Sequence, residues 1–178
     1  MLTLEQEQLI IQQILNGDKE QYALIVKEYQ SNVVNLCFKL VGNKLDIEEV
    51  TQQVFVELYT ALPRFRHDSR LSTFIYRITV NIVSKMLKHE KRFVSIEYES
   101  PNDDYQNSRE DEVMKEEQIR KLRQAIGLLK QEQRTALVLY TFKDLSYNDI
   151  AEVMQVSLAK VESLIFRARK NLQKLMTT

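Results

Sequence analysis

Apolar residues recur three and four apart along most of the chain, the spacing of helices that bury one face. Leu4, Leu9, Ile10 and Ile14 predict a short amphipathic helix over residues 4–15, ended by Gly17. Asp18 is placed to cap a second helix over about 19–41, where Tyr22, Ile25, Tyr29, Val33, Leu36 and Leu40 form a core stripe. Gly42-Asn43 stops it. Ile47, Val50, Val54, Leu58 and Ala61 predict a third helix from Ile47 to Leu62. Asp46 and Glu49 stand at capping-box spacing before it, and Pro63 marks its end, because the residue before a proline avoids the helical region. A fourth helix, about 71–90, carries Leu71, Phe74 or Ile75, Ile78 and Ile82 inward. These four helices predict a bundle over residues 1–94.

The pattern then lapses. Residues 95–116 are polar and acidic, contain Pro101 and show no apolar period, which predicts a linker. Periodicity resumes in residues 117–178. Ile119, Leu122, Ile126 and Leu129 line a helix over about 117–129, and Ala136, Leu137, Leu139 and Tyr140 mark another over about 131–143. Leu145-Ser146-Tyr147-Asn148-Asp149-Ile150-Ala151 follows, with Ser146 and Asp149 at capping-box spacing. Ile150, Met154, Val156, Val161 and Leu164 fall where a helix-turn-helix buries side chains. Its second helix, about 158–176, turns Lys160, Arg167, Arg169, Lys170 and Lys174 outward. A plain pair of antiparallel helices has the same period, so the pattern leaves both readings open.

Composition agrees with an all-α chain of two small helical domains. The 178 residues include three glycines, two prolines and no tryptophan, so helix breakers are rare. The single cysteine, Cys37, lies among Leu36, Phe38 and Leu40 and reads as a small core residue; one cysteine excludes an internal disulfide. Two histidines and one cysteine without ligand spacing predict no metal site. No paired-carboxylate, Cys/His or glycine-rich phosphate motif points to an enzyme or a cofactor. No apolar run approaches the roughly 20 residues that span a bilayer, and the N-terminus lacks a basic region followed by an apolar one. The expectation is a cytoplasmic protein with no direct membrane insertion.

Net charge is zero, but its distribution is uneven. Residues 63–94 hold eight Lys or Arg against two acids, interleaved with Phe65, Phe74 and Tyr76. Basic residues neutralise phosphates and aromatics stack on unpaired bases. Residues 156–178 hold five cations against one acid. Two basic segments separated by an acidic one predict two DNA-contacting modules. The third helix is different. Its polar face carries Glu49, Gln52, Gln53 and Glu57, which suits a protein partner or plain solvent.

Asp46-Ile47-Glu48-Glu49-Val50-Thr51-Gln52-Gln53-Val54-Phe55, then Phe65-Arg66-His67-Asp68-Ser69-Arg70-Leu71-Ser72-Thr73-Phe74-Ile75-Tyr76-Arg77-Ile78, then Asn81, resemble region 2 of the extracytoplasmic-function (ECF) sigma factors of bacterial RNA polymerase. Leu128-Leu129-Lys130-Gln131-Glu132-Gln133-Arg134, Leu145 to Ala151, and Val161-Glu162-Ser163-Leu164-Ile165-Phe166-Arg167-Ala168-Arg169 resemble region 4 of the same family. The order is the family's, and the resemblance covers about residues 18–94 and 117–175.

The resemblance implies a sigma subunit without a catalytic centre. Asp46, Glu49, Gln52 and Gln53 would bind the clamp coiled coil of the polymerase's largest subunit. Arg66, His67, Ser69, Arg70, Ser72, Thr73, Arg77 and Asn81 would form the promoter-melting element and hold a flipped base. Lys160, Glu162, Ser163, Phe166, Arg167 and Arg169 would read the upstream promoter element in the major groove. Further implied partners are the flap of the second-largest subunit and an anti-sigma factor. The chain departs from the family pattern at Gln53, where a glutamate is common, and near Lys130-Gln131, where a proline is common. It also departs at Ala159-Lys160 (commonly Gly-Thr), at Glu162 (commonly basic) and at Leu164 (commonly arginine). An acid at position 162 repels phosphate but accepts from a cytosine amino group. The other reading of the same residues is a helix-turn-helix regulator that binds duplex DNA without polymerase.

Overall fold

A computed structural model describes residues 2–42, 45–93, 110–143 and 145–177. The described residues form eight α-helices and no strand. The chain divides into two compact units, one of Met1–Phe93 with Glu152–Gln155 and one of Val94–Ala151 with Val156–Thr178.

In the first unit α1 spans Leu4–Leu15. Thr3 and Gln6 form a reciprocal capping box, with the Thr3 hydroxyl accepting from the Gln6 amide at 3.2 Å and the Gln6 side chain accepting from the Thr3 amide at 2.9 Å. Ile10, Ile11 and Ile14 are buried, whereas Leu4 and Leu9, expected on the packed face, are exposed. Buried Glu7 takes part of that face, because the Tyr29 hydroxyl from the next helix donates to its carboxylate. Burial, with the Glu7 carboxylate beside it, holds the Tyr29 hydroxyl protonated well above the usual tyrosine range. Gly17 closes α1 at φ 104, with the amides of Gly17 and Asp18 returning to Ile14 and Gln13.

A short 3-10 turn, Lys19–Gln21, precedes α2, Tyr22–Val41. Asp18 was expected to cap this helix; instead its carboxylate accepts from the Gln21 side chain at 3.2 Å and takes no backbone amide. Ile25, Tyr29, Val33, Leu36 and Leu40 are buried as the stripe requires. α3 spans Ile47–Ala61 and runs into a 3-10 turn, Leu62–Arg64, that holds Pro63 near its start, where no amide hydrogen is needed. α4 spans Leu71–Phe93. α2, α3 and α4 pack against one another, and α1 lies on α2. Ile25, Leu36, Leu40, Leu58, Leu62, Leu71 and Ile75 are among the side chains most completely removed from water. Full burial of such a side chain contributes roughly 1.5–3 kcal/mol. Across the bundle, the Tyr22 hydroxyl donates to the Phe55 carbonyl at 2.6 Å, and the Tyr22 ring meets Tyr59 edge-on at 5.0 Å.

In the second unit α5 spans Glu110–Leu128, α6 Gln131–Lys143, α7 Tyr147–Met154 and α8 Leu158–Thr177. α5 thus begins inside the stretch read as linker; residues 94–109 lie outside the described residues. Ile119 and Leu122, expected in its packed line, are 48% and 39% exposed. Among the described side chains, α5 buries only Ala125, near its end, beside buried Leu129. α8 packs on α6 and α5 through Val161, Leu164, Ile165 and Ala168. The Asn171 amide donates to the Gln133 side chain of α6 at 3.0 Å. No helix among the described residues is long and apolar enough to cross a membrane.

Candidate nucleic-acid interface

Three surfaces hold the residues singled out by sequence. The first is the outer face of α3. Asp46 is extended and its carboxylate accepts from the amides of Glu48 and Glu49 at 2.9 and 3.2 Å. Asp46 therefore satisfies the free amides of the first turn, and only secondarily presents charge outward. Glu49, Gln52, Gln53 and Glu57 are all exposed. Val56, which the sequence reading passed over, stands among them at 62% exposure. Its signal was available: Val56 lies off the 47–50–54–58–61 stripe, so a helix burying that stripe turns it outward.

The second surface is the loop from Phe65 to Arg70 and the start of α4. Arg66, His67, Arg70 and Asn81 are exposed; Ser69, Ser72 and Arg77 are half-buried. Thr73 is not on this surface. It is 2% exposed, contrary to its expected place in the melting element. Phe74 and Tyr76, which the sequence offered among the interleaved aromatics, are also buried. The reason is the width of the packed arc of α4. Helices α2 and α3 both pack on it, so Leu71, Thr73, Phe74, Ile75, Tyr76 and Ile78 all lose contact with water.

The loop is built around rings. Phe65 lies 4.6 Å from His67 at 60° and 5.0 Å from Phe74 at 42°. The Arg77 guanidinium sits over the Phe74 ring at 5.0 Å. His67 has φ 59, a left-handed conformation that costs a residue with a Cβ roughly 1–2 kcal/mol. A groove of about 270 Å³ between α3 and α4 is lined by Gln53, Glu57, Ile78, Asn81, Ile82, Lys85 and Met86. It joins residues that the sequence reading divided between two sites, Gln53 and Asn81.

The third surface is α8. The Ser157 hydroxyl accepts from the Lys160 amide at 3.3 Å and starts the helix. With Val161, Leu164, Ile165 and Ala168 inward, the opposite face carries Ala159, Glu162, Ser163, Phe166, Arg167 and Lys170. Phe166 is 68% exposed. Two residues expected on this face are turned to its flanks. The Lys160 ammonium pairs with Glu132 of α6 at 3.0 Å, and the Arg169 guanidinium lies over the Tyr140 ring of α6 at 5.1 Å. Lys170 follows Phe166 by four and Arg167 by three and is exposed on the same strip. Ahead of α8, Ser146 and Asp149 form the expected capping box of α7, each amide bonded to the other's side chain at 3.1 Å. Gln155 takes the turn at φ 54, with its amide on Glu152 and the Val156 amide on Ala151.

Comparison with known proteins matches the chain in two regions. The family model for Sigma-70 region 2 matches residues 25–93, and that for Sigma-70, region 4 matches residues 119–172. The RNA polymerase sigma-H factor of Pseudomonas aeruginosa is 34% identical, over 98% of this chain and 95% of the relative. The ECF RNA polymerase sigma-E factor of Haemophilus influenzae is 30% identical, over 94% of this chain and 93% of the relative. Among solved structures, the sigma factor RpoE in complex with the anti-sigma factor NepR from Bartonella quintana has the same fold. Its TM-score is 0.70 at 18% identity, over 89% of this chain and 98% of that one.

Proposed function

The chain belongs to the extracytoplasmic-function sigma factors of RNA polymerase, and we propose that three surfaces divide that work among them. The outer face of α3, with Glu49, Gln52, Gln53 and Glu57 around Val56, docks on the clamp coiled coil of the largest subunit. The loop from Arg66 to Arg70, with Ser72, Arg77 and Asn81, binds the melted strand of the downstream promoter element. Helix α8, through Glu162, Ser163, Phe166, Arg167 and Lys170, enters the major groove of the upstream element. Residues 1–94 are then the core-binding and melting domain, and the helices from α5 onward the duplex-reading domain. The flap of the second-largest subunit is the proposed partner of the duplex-reading domain. The RpoE structure pairs a sigma factor with an anti-sigma factor, and by that likeness an anti-sigma factor is the proposed inhibitory partner here. The protein acts where polymerase is, in the cytoplasm, and supplies no catalytic centre of its own.

One observation supports this division above others. The polar face of α3 and the middle of α4 adjoin across a groove, so Gln53 and Asn81 share walls. A sigma factor must hold polymerase and unpaired promoter DNA side by side. A regulator that binds duplex DNA without polymerase leaves both features without a task. Unstacking costs a few kcal/mol per flipped base, which phosphate contacts from Arg66 and Arg70 offset.

The α3 assignment is tested with Glu49→Lys combined with Gln52→Ala. Both side chains are exposed, so circular dichroism and thermal melting stay unchanged. Capture of core polymerase falls by about tenfold or more, the equivalent of roughly 1.4 kcal/mol. Unchanged capture by the folded double variant removes α3 from the interface.

A further inference from the structure

Lys160 stands where a helix disfavours a cation and where DNA would attract one. It is the third residue of α8, and the free amides of a first turn favour negative charge. For the same reason the N-terminal end of such a helix is the part that meets phosphates and base edges. Lys160 also precedes Arg167 by seven residues, two turns along the same edge of the recognition strip. Its ammonium is nevertheless drawn sideways. It lies 3.0 Å from the Glu132 carboxylate, which projects from the first turn of α6. α6 takes a second cation as well, since Arg169 lies over Tyr140, and it ties the later part of α8 through Gln133 and Asn171 at 3.0 Å. Within residues 158–171, Arg167 and Lys170 are the cations left on the strip, beside the acid Glu162.

We propose that Glu132 is a positioning residue for promoter binding: it holds Lys160 off the phosphates of the upstream duplex and so keeps the affinity of α8 low. The proposal rests on the assignment of α8 to the major groove of the upstream element and adds a control on that contact. An incoming phosphate competes with the Glu132 carboxylate for one ammonium. The two side chains are 46% and 62% exposed, so the bridge between them is a weak one. That weakness bounds the effect. A phosphate contact that loses to an exposed ion pair gains at most about fivefold when the pair is removed. With Lys160 withheld, α8 depends on Arg167, Lys170 and its base-reading side chains, and a sequence without the cognate bases gains nothing from Lys160. Two bland alternatives exist: the pair has no bearing on DNA, or Glu132 simply repels phosphate.

The test is a double-mutant cycle in the holoenzyme, assembled from core polymerase and the full chain. Wild type, Glu132→Gln, Lys160→Gln and the double variant are compared on a promoter of the protein's own host and on a copy with the upstream element scrambled. Binding is measured in the cold, before the duplex opens, over a range of salt concentrations. Both side chains are exposed, so circular dichroism stays unchanged in all four proteins. Glu132→Gln is expected to tighten binding by about two- to fivefold. It also steepens the slope of log K against log salt by up to about 0.9, one added phosphate contact. The gain is the same on both promoters, because a phosphate contact is blind to sequence. In the Lys160→Gln background Glu132→Gln changes nothing. Absence of tightening, or equal tightening with and without Lys160, overturns the role of Glu132 and leaves the α8 assignment standing. Wild-type holoenzyme that binds the intact and scrambled upstream elements equally overturns both.

Discussion

At the scale of single residues, backbone strain and misplaced charge carry the most information. Gly17 and Gln155 end their helices with the same pair of amide bonds and both have positive φ, but only one is glycine. Gln155→Gly is therefore expected to stabilise the turn between α7 and α8 by up to about 1 kcal/mol, read by chemical denaturation. Glu162 is the one acid in the span of α8, and it lies outside the first turn, where the helix dipole would favour it. Its place on the recognition strip predicts a preference for a base with an amino group. Glu162→Gln shifts the preferred upstream sequence in a promoter library, while a uniform change across all sequences argues against base contact. Arg167 and Lys160 give the contrasting case. A bidentate arginine–guanine contact discriminates by about 1–3 kcal/mol, whereas a phosphate contact weakens every sequence alike. Arg167→Ala is expected to lose transcription selectively from promoters with the cognate upstream element. Lys160→Ala has a smaller effect, because its ammonium is directed to Glu132. The inward positions of α8 were legible from spacing alone. The flank partners were not, since Glu132 and Tyr140 come from another helix and no local period announces them.

At the scale of elements, spacing located the helices but understated their buried arcs. α2 and α3 each pack on more than one helix, and they bury Val41, and Thr51 with Phe55, beyond the apolar stripe. α4 was misjudged at Thr73 in the same way, because its buried arc is wider than one stripe. α5 was misjudged the other way: its apolar line continues past the part that finds a partner. The core of α2 supplies a test of its own. Cys37 is fully buried, and burial pushes its thiol up to about 11 from an ordinary 9.0. The unfolded chain loses this proton first as pH rises, so the folded state holds more protons and stability falls between about pH 9 and 11. Tyr22, Tyr29 and Tyr76, also raised by burial, add the same sign above pH 10. Urea denaturation from pH 8 to 10 is expected to show this decline, and Cys37→Ala to flatten its first part at some loss of overall stability. The native thiol should also resist alkylation at pH 8 until denaturant is added. Prompt alkylation of the folded protein contradicts the burial of α2.

At the scale of the whole molecule, three tasks are proposed for two units, and the charge pattern suggests that division before any helix is placed. The acidic face of α3, the basic loop before α4 and the basic helix α8 are separate in sequence and carry different side chains, as different proposed partners require. What the sequence left out was the groove that sets Gln53 beside Asn81, because adjacency across two helices has no linear signature. The central claim is that this chain binds promoter DNA as part of the polymerase and opens it there. Permanganate footprinting of unpaired thymines measures that directly, with core polymerase, this protein, and both together on a promoter of its own host. Reactive thymines are expected at the downstream element only when both are present, and Arg66→Ala with Arg70→Ala abolishes them while core capture persists. Tight duplex binding by the protein alone, with no reactive thymines in the presence of core, would contradict the account.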